Sequence, residues 1–277
     1  MPTLAFWNIA GNVLTATVAA FAHESEADIL ILAENHISTE TLVLALNSGA
    51  NRYYFPDPIP AGRLAIFTRF SPDTSIVISD EEGISIRHYR MPLGDSFLVV
   101  AVHLSSKLWK KTEDQIFVSV RVAGSIREAE KKVGHQRTVV IGDLNMNPFE
   151  AGVVGSGGLH ATMNRDIASE GQRRVAGKDY LFFYNPMWSF FGDRGPAPPG
   201  TYFRRAGSEV NYFWHLFDQV LVRPCLLKSL DKDAVKIVTE VGGVSLLTDK
   251  GHPDKKIHSD HLPLVCRLNL LEELVNG

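Results

Sequence analysis

The stretch Thr138-Val139-Val140-Ile141-Gly142-Asp143-Leu144-Asn145 joins a short β-branched run to an aspartate and an asparagine two residues apart. Consecutive apolar, β-branched residues suit a strand covered on both faces. A carboxylate at the tip of such a strand gains nothing from an apolar core unless it is paired, hydrogen-bonded or bound to a metal. The stretch therefore predicts a central strand that delivers Asp143 and Asn145 to a polar edge.

Working outward, the same pattern recurs along the chain. Asn8 follows the run 4–7, Glu34 follows 29–33 and His103 follows 97–102, all at carboxyl ends. Asp218 instead stands near the start of 217–222, and Asp260-His261 immediately precede 262–268. With these last two strands antiparallel to the first four, all six sites share one edge of the core. Further strand-like runs lie at 64–68, 75–78, 84–88 and 235–239. Helical stretches fall between some of them: 15–23, a segment N-capped by Ser38 before Leu42, Leu44 and Leu46, and 112–133. The last carries Ile116, Val120, Ala123 and Ile126 at helical spacing and stops at Gly134.

About ten strands exceed what one twisted open sheet usually carries. The expected fold is thus α/β, a four-layer α/β sandwich of two packed mixed β-sheets flanked by helices. No linker separates two halves, so one domain over 1–277 is expected. The chain has 45% hydrophobic and 21% charged residues, which excludes the disordered and low-complexity classes. A net charge of −3 argues against a strongly basic nucleic-acid coat protein, although a local positive groove is compatible with it. Two cysteines, Cys225 and Cys266, make neither a disulfide framework nor a four-thiolate zinc site. With no run of membrane-spanning length and no leader-like start, a cytoplasmic location is expected. No obligate protein partner can be inferred.

The polar edge limits the chemistry. Glu34 and Asp260, with the amide oxygen of Asn8, form an all-oxygen donor set suited to Mg²⁺ or Mn²⁺. Zinc would draw on clustered His and Cys, and His258 and His261, on a loop leading into a strand, need not face one way. Taken singly, each residue has a structural alternative. Asn8 can be a turn residue before Gly11-Asn12, Glu34 or Asp143 can cap a following helix, and His103 can be a satisfied core histidine. Asp218 and His261 can be a buried structural pair. Gathered at one edge beside a hard-cation donor set, they leave room for a substrate phosphate.

On these residues the chain resembles the endonuclease/exonuclease/phosphatase superfamily. The matching pieces are Trp7-Asn8-Ile9, Ala33-Glu34-Asn35, Val102-His103-Leu104, Gly142-Asp143-Leu144-Asn145, Phe217-Asp218-Gln219-Val220 and Ser259-Asp260-His261-Leu262-Pro263-Leu264. The resemblance implies that Asn8, Glu34 and Asp260 hold the metal, and that Asp143 orients or deprotonates the attacking water. Asn145 would hold a phosphate oxygen, and His261, fixed by Asp218, would meet the phosphoryl group, with His103 a second phosphate contact. Ala10 stands where abasic-site endonucleases of this type carry an acid, and His103 where they tend to carry a tyrosine. The deoxyribonuclease and phosphatase branches are the better match.

The expected activity is a Mg²⁺-dependent phosphodiester hydrolase, a nuclease acting on DNA or RNA. A phosphomonoesterase or lipid phosphodiesterase of the inositol phosphate or sphingomyelin type stays open, as does a non-catalytic binding module. A dinuclear metallophosphoesterase is disfavoured, because Asn35-His36 precedes Gly142-Asp143, the wrong order. Of the 26 aromatic residues, 13 lie between Tyr180 and Phe217, interleaved with arginines. They form either a groove that stacks bases, with Trp188, Tyr202, Arg204, Arg205 and Trp214 as candidates, or core packing under a loop. Lys107, Lys110 and Lys111 are either outer-phosphate contacts or a solvated helix face.

Overall fold

Alternate residues of the central strands enter two different cores. A computed structural model gives the structure of residues 1–56, 63–91, 95–106, 112–195, 197–207, 209–230, 233 and 235–270. In the strand Phe97–His103, Phe97, Val99 and Ala101 join the core between two sheets, together with Val139, Ile141, Val220 and Val222. Leu98, Val100 and Val102 face the other way, with Val140 and Leu221, and pack with Val122, Ile126 and Ala129 of the helix Thr112–Val133. That two-sided burial is why these strands read as unbroken apolar runs. Each fully buried Leu, Val or Phe contributes about 1.5–3 kcal/mol relative to exposure.

One sheet has five strands in the order Lys236–Ile237, Leu264–Arg267, Thr3–Asn8, Ile29–Ala33, Leu64–Thr68. The other has seven: Ser75–Glu81, Ile84–Tyr89, Phe97–His103, Thr138–Asp143, Asp218–Val222, Phe183–Tyr184 and Ala161–Thr162. The helices Thr15–Glu24 and Thr39–Leu46 supply Val18, Phe21, Leu42 and Leu46 to the first core, Phe21 meeting Trp7 edge-on at 5.8 Å. Ser38 caps the second of these, its side chain accepting from the Thr41 N–H at 3.2 Å. The two mixed sheets with their helices match the expected architecture.

Strand direction brings the polar tips together. Thr3–Asn8 runs parallel to Ile29–Ala33, and Phe97–His103 parallel to Thr138–Asp143. Leu264–Arg267 and Asp218–Val222 run antiparallel to their neighbours Thr3–Asn8 and Thr138–Asp143. His103 is the cross-strand partner of Asp143, and Asp143 of Asp218, so three polar residues form one row. Gly142 sits at φ +145° with Val102 alongside, and a Cβ there would stand 2.0 Å from the Val102 carbonyl oxygen. Only glycine permits that approach.

Two expectations need correction. In the helix Thr112–Val133, Ile116 and Val120 are not core residues: they are 36% and 41% exposed, while Gln115 and Ser119 are buried beside Val122, Ala123 and Ile126. The reason is a backbone demand, since Gln115 Nε2 donates to the Asn145 carbonyl at 2.9 Å and turns the helix toward it. The strand expected over 235–239 shrinks to Lys236–Ile237. Between 172 and 215 the chain forms short hairpins, Gln172–Val175 with Lys178–Leu181 and Tyr202–Phe203 with Trp214–His215, which apolar periodicity did not signal. Among the described residues no helix is long and apolar enough to cross a membrane.

Candidate active site

At the shared edge lies an open cavity of about 1000 Å³ whose lining includes Glu34, His103, Asp143, Asn145, Tyr202, Arg204, Asp260 and His261. The strand-tip residues thus converge although they are spread over most of the sequence. Asp143 is at its floor, 1% exposed. Its Oδ1 accepts from the Asn145 N–H at 2.7 Å, and its Oδ2 from Asn145 Nδ2 at 3.0 Å and Asn8 Nδ2 at 3.2 Å. Burial, then the nearby Asp218 charge, pushes the Asp143 carboxyl up to about 6, against the opposing pull of His261, His103 and the Asn145 N–H. A carboxylate made more basic in this way is suited to accept a proton.

His261 Nδ1 bonds the fully buried Asp218 carboxylate at 2.8 Å, which leaves Nε2 for the cavity. Burial alone would lower this imidazole's pKa. The charge and hydrogen bond of Asp218, aided by Asp143 and Asp260, outweigh it and hold His261 at about 10. The dyad is itself held in place. The Asp218 N–H donates to Thr201 Oγ1 at 3.3 Å, the His261 N–H to Ser259 Oγ at 3.1 Å, and Ser259 Oγ to the Asn8 carbonyl at 2.6 Å. Trp7 Nε1 donates to the His261 carbonyl at 2.9 Å.

Glu34 stands half-exposed on the wall. His103 Nε2 lies 3.2 Å from Glu34 Oε1, and Asn8 Nδ2 donates to the same oxygen at 3.3 Å. The His103 contact, against burial and with help from Asn8, lowers the Glu34 carboxyl to about 2. Asn8 Oδ1 accepts from the Ala10 N–H at 3.0 Å, so Asn8 both makes the turn and ties Glu34 to Asp143. Ala10, Glu34 and Asn145, all lining the cavity, hold φ near +50°, a left-handed conformation that is uncommon for residues other than glycine. Such strain concentrates where the surrounding structure fixes a functional geometry.

Of the structural alternatives for single residues, those for Glu34, Asp143 and His103 give way here, while Asn8 does make a turn and Asp218 and His261 do form a buried pair. Ser38, not Glu34, caps the helix Thr39–Leu46, and Glu150 rather than Asp143 precedes the helical turn Ala151–Val154. His103 Nδ1 is buried without a protein partner, so His103 is no satisfied core histidine. Asp143, Asp218 and His261 offer ligand atoms within 4.8 Å of one another. Asp218 and His261 are bonded to each other, and the carboxylates of Glu34 and Asp260 line the same cavity as Asp143.

The aromatic stretch divides. Tyr202 lies against the imidazole of His261, centroids 4.8 Å apart, and stacks on Phe217 at 5.4 Å, while Phe217 stacks on His215 at 4.6 Å. Arg204 lines the cavity; Arg205 does not. Trp188 packs with Phe149 and Phe191, and Trp214 with Phe203 and His252, both outside the lining. Lys107, Lys110 and Lys111 lie outside the described residues. Sequence reading missed the supports Gln115, Asn147, Thr201 and Gln219, whose only signal is a polar side chain beside a motif. Gln219 Nε2 donates to the Met146 carbonyl at 2.6 Å, and Asn147 Oδ1 accepts from the Leu216 N–H at 3.0 Å.

A model of the endonuclease/exonuclease/phosphatase family matches residues 5–234. The chain belongs to this family. It is accordingly a hydrolytic phosphoesterase. No curated protein matches the sequence significantly. Among solved structures, it is similar to the endonuclease domain of TRAS1, a telomere-specific non-LTR retrotransposon, at 17% identity and TM-score 0.52, covering 98% of this chain and 99% of that one. A 3′ phosphatase from Neisseria, bound to a product DNA hairpin, aligns at 15% identity and TM-score 0.55 over 97% and 99% of the two chains. An AP endonuclease from Archaeoglobus fulgidus aligns at 14% identity and TM-score 0.54 over 97% and 100%. At these identities the family member shares a fold with them.

Proposed function

We propose that the chain is a divalent-metal-dependent phosphodiester hydrolase, a nuclease that cleaves DNA or RNA by in-line attack of water. The observation that carries this reading is the buried Asp218–His261 dyad in register with Asp143, opening on the cavity that also holds Glu34 and Asp260. The donor chemistry fits the metal. Two carboxylates with hard oxygen atoms line one open cavity, and the Glu34 carboxyl is held ionised well below neutral pH. Glu34 and Asp260 would hold Mg²⁺ or Mn²⁺; Asn8, whose Oδ1 accepts from the Ala10 N–H and whose Nδ2 donates to Glu34 and Asp143, would hold the carboxylates in place. When bound, the ion supplies charge neutralisation at the phosphoryl oxygens.

The chain's own groups do the rest. Asp143, raised in basicity and aimed by Asn8 and Asn145, takes the proton of the attacking water. His261, cationic through Asp218, donates from Nε2 to the phosphoryl oxygens as charge accumulates. His103 holds Glu34 in place, and Asn145 fixes Asp143. Arg204 and Arg63 on the lining suit a polyanionic strand; of the similar structures one is an endonuclease domain and another holds a product DNA hairpin. One domain over 1–277, with a cytoplasmic location, belongs to the same reading.

The test is a substrate panel with Mg²⁺: plasmid DNA, single-stranded DNA, RNA, inositol phosphates and sphingomyelin, each with and without chelator. Chelator-sensitive cleavage of a nucleic acid supports the proposal. Turnover of inositol phosphates or sphingomyelin alone would replace it with the phosphatase or lipid reading.

A further inference from the structure

The hairpin Tyr202–Phe203 with Trp214–His215 is anchored at its inner end, and its outer end exposes Val210, Tyr212 and Phe213 beside Arg204, Arg205 and Glu209. Tyr202 forms a backbone bridge to His261, and the Thr201 N–H donates to the His215 carbonyl at 2.9 Å. Beyond these anchors the connecting segment is closed by its own bonds. The Arg204 N–H donates to the Phe213 carbonyl at 2.8 Å, and Asn211 clamps the Phe213 N–H at 2.9 Å and the Ala206 carbonyl at 3.1 Å. This ordering does not hide apolar surface. Tyr212 is 56% and Phe213 47% exposed, and Phe213 adopts φ +61°. A partly exposed bulky residue in left-handed backbone is uncommon and carries a local cost.

Tyr212 also belongs to a larger surface. Its ring lies 5.3 Å from that of Phe149, which rests on Phe191 at 5.8 Å and Trp188 at 6.3 Å. Phe149 itself is 37% exposed. Of these rings Tyr212 lines the same cavity as Asp143 and His261, together with Arg204, and Phe149, Phe191 and Trp188 lie behind it outside the lining. Exposed apolar surface beside a polar site marks a binding surface, and a cation at its edge selects a partner with both flat apolar and anionic parts.

Resting on the nuclease reading above, we propose that Tyr212, braced by the ring of Phe149 tilted 60° against it, forms a stacking ledge for an unpaired nucleobase beside the scissile phosphate. Arg204 meets the strand's phosphates, and the preferred substrate is single-stranded nucleic acid. A base stacks on a protein ring through its flat face, and inside a duplex both faces of each base are covered by the stacked base pairs above and below.

The test is binding, read by fluorescence anisotropy in the Asp143→Asn background with Mg²⁺. The probes are a labelled single strand, an equally long base-free strand of the same charge, and a hairpin duplex. The base-bearing strand should bind at least about fivefold tighter than the base-free one. Tyr212→Ala should remove about 5- to 150-fold of its affinity, the range of one base–aromatic stack, with under about twofold change for the base-free strand. Tyr212→Trp should preserve the advantage. Equal affinity for the two strands, no measurable binding of either, or tighter binding of the duplex would overturn the ledge. Base-dependent binding without strand cleavage by the unsubstituted enzyme would leave the ledge and remove the nuclease reading. Cleavage without base dependence would do the reverse.

Discussion

The strand-tip row and the 202–215 hairpin meet at one cavity but are built on opposite terms. His103, Asp143 and Asp218 are fixed by cross-strand register inside a seven-stranded sheet, with two apolar cores beneath them. Tyr212 and Phe213 are fixed by short-range bonds within a hairpin of two-residue strands. Long-range register gives the placement that proton transfer and charge stabilisation demand. Local bonding allows the rim to change composition without disturbing the floor. The difference teaches that this molecule separates the question of what reaction occurs from the question of which substrate undergoes it.

That separation can be broken at the floor first. Asp143→Asn removes the proton acceptor and keeps the shape, although one amide N–H must then face a neighbouring donor, so turnover of every substrate should fall about 10²–10⁴-fold while cooperative unfolding is retained. Residual activity near the unsubstituted level would transfer the base role elsewhere. Gly142→Ala should act through the frame instead. Its Cβ would collide with the Val102 carbonyl oxygen, so a loss of about 4 kcal/mol or more of unfolding free energy is expected in denaturant titration. Normal stability would mean that the two strands tolerate separation.

Asp218→Asn sharpens the comparison further. The imidazole keeps a neighbour but loses the charge that raises it, so kcat should drop about 10²–10³-fold, with the slow variant's pH profile altered. A drop confined to KM would move Asp218 from the reaction to substrate binding.

The smallest effect is expected at the opposite end of the same sheet. His135 Nε2 lies 3.3 Å from His88 Nε2, and the Arg137 N–H donates to His135 Nδ1 at 3.2 Å, a pattern that requires a neutral ring. Burial, then the charges of Arg137 and His88, with Asp95 opposing, lower His135 to about 4. Burial, then Arg90 and Arg137, lower His88 as well. A histidine whose folded pKa is depressed contributes stability present above its ordinary value near 6.5, lost as pH falls toward 4. The melting temperature should therefore decline over that window by about 2–4 °C more in the unsubstituted protein than in His135→Gln. Equal slopes would show that the pair accepts a proton without cost.

Much of the floor was legible because its signals are local in sequence. An apolar run ending in Asp143 and Asn145 is readable from eight residues, and strand direction follows from which end carries the polar tip. Three things were not legible. The left-handed backbone at Ala10, Glu34 and Asn145 depends on bonds from distant elements, such as Gln115 reaching the Asn145 carbonyl. In the helix Thr112–Val133 the buried stripe runs through Gln115, Ser119, Val122, Ile126 and Ala129, so Ile116 and Val120 meet solvent despite their spacing. The rim's two-residue strands are too short for any alternation, and composition alone could not say which aromatic residues lie buried and which line the cavity.

Register also joins two properties that are usually distinct. His103, Asp143 and Asp218 occupy directly opposed positions on neighbouring strands. A slip of one residue would send one of them to the far side of the pleat. A misassembled chain would accordingly be inert rather than promiscuous, and hydrolytic competence can arise only at the moment folding is correct.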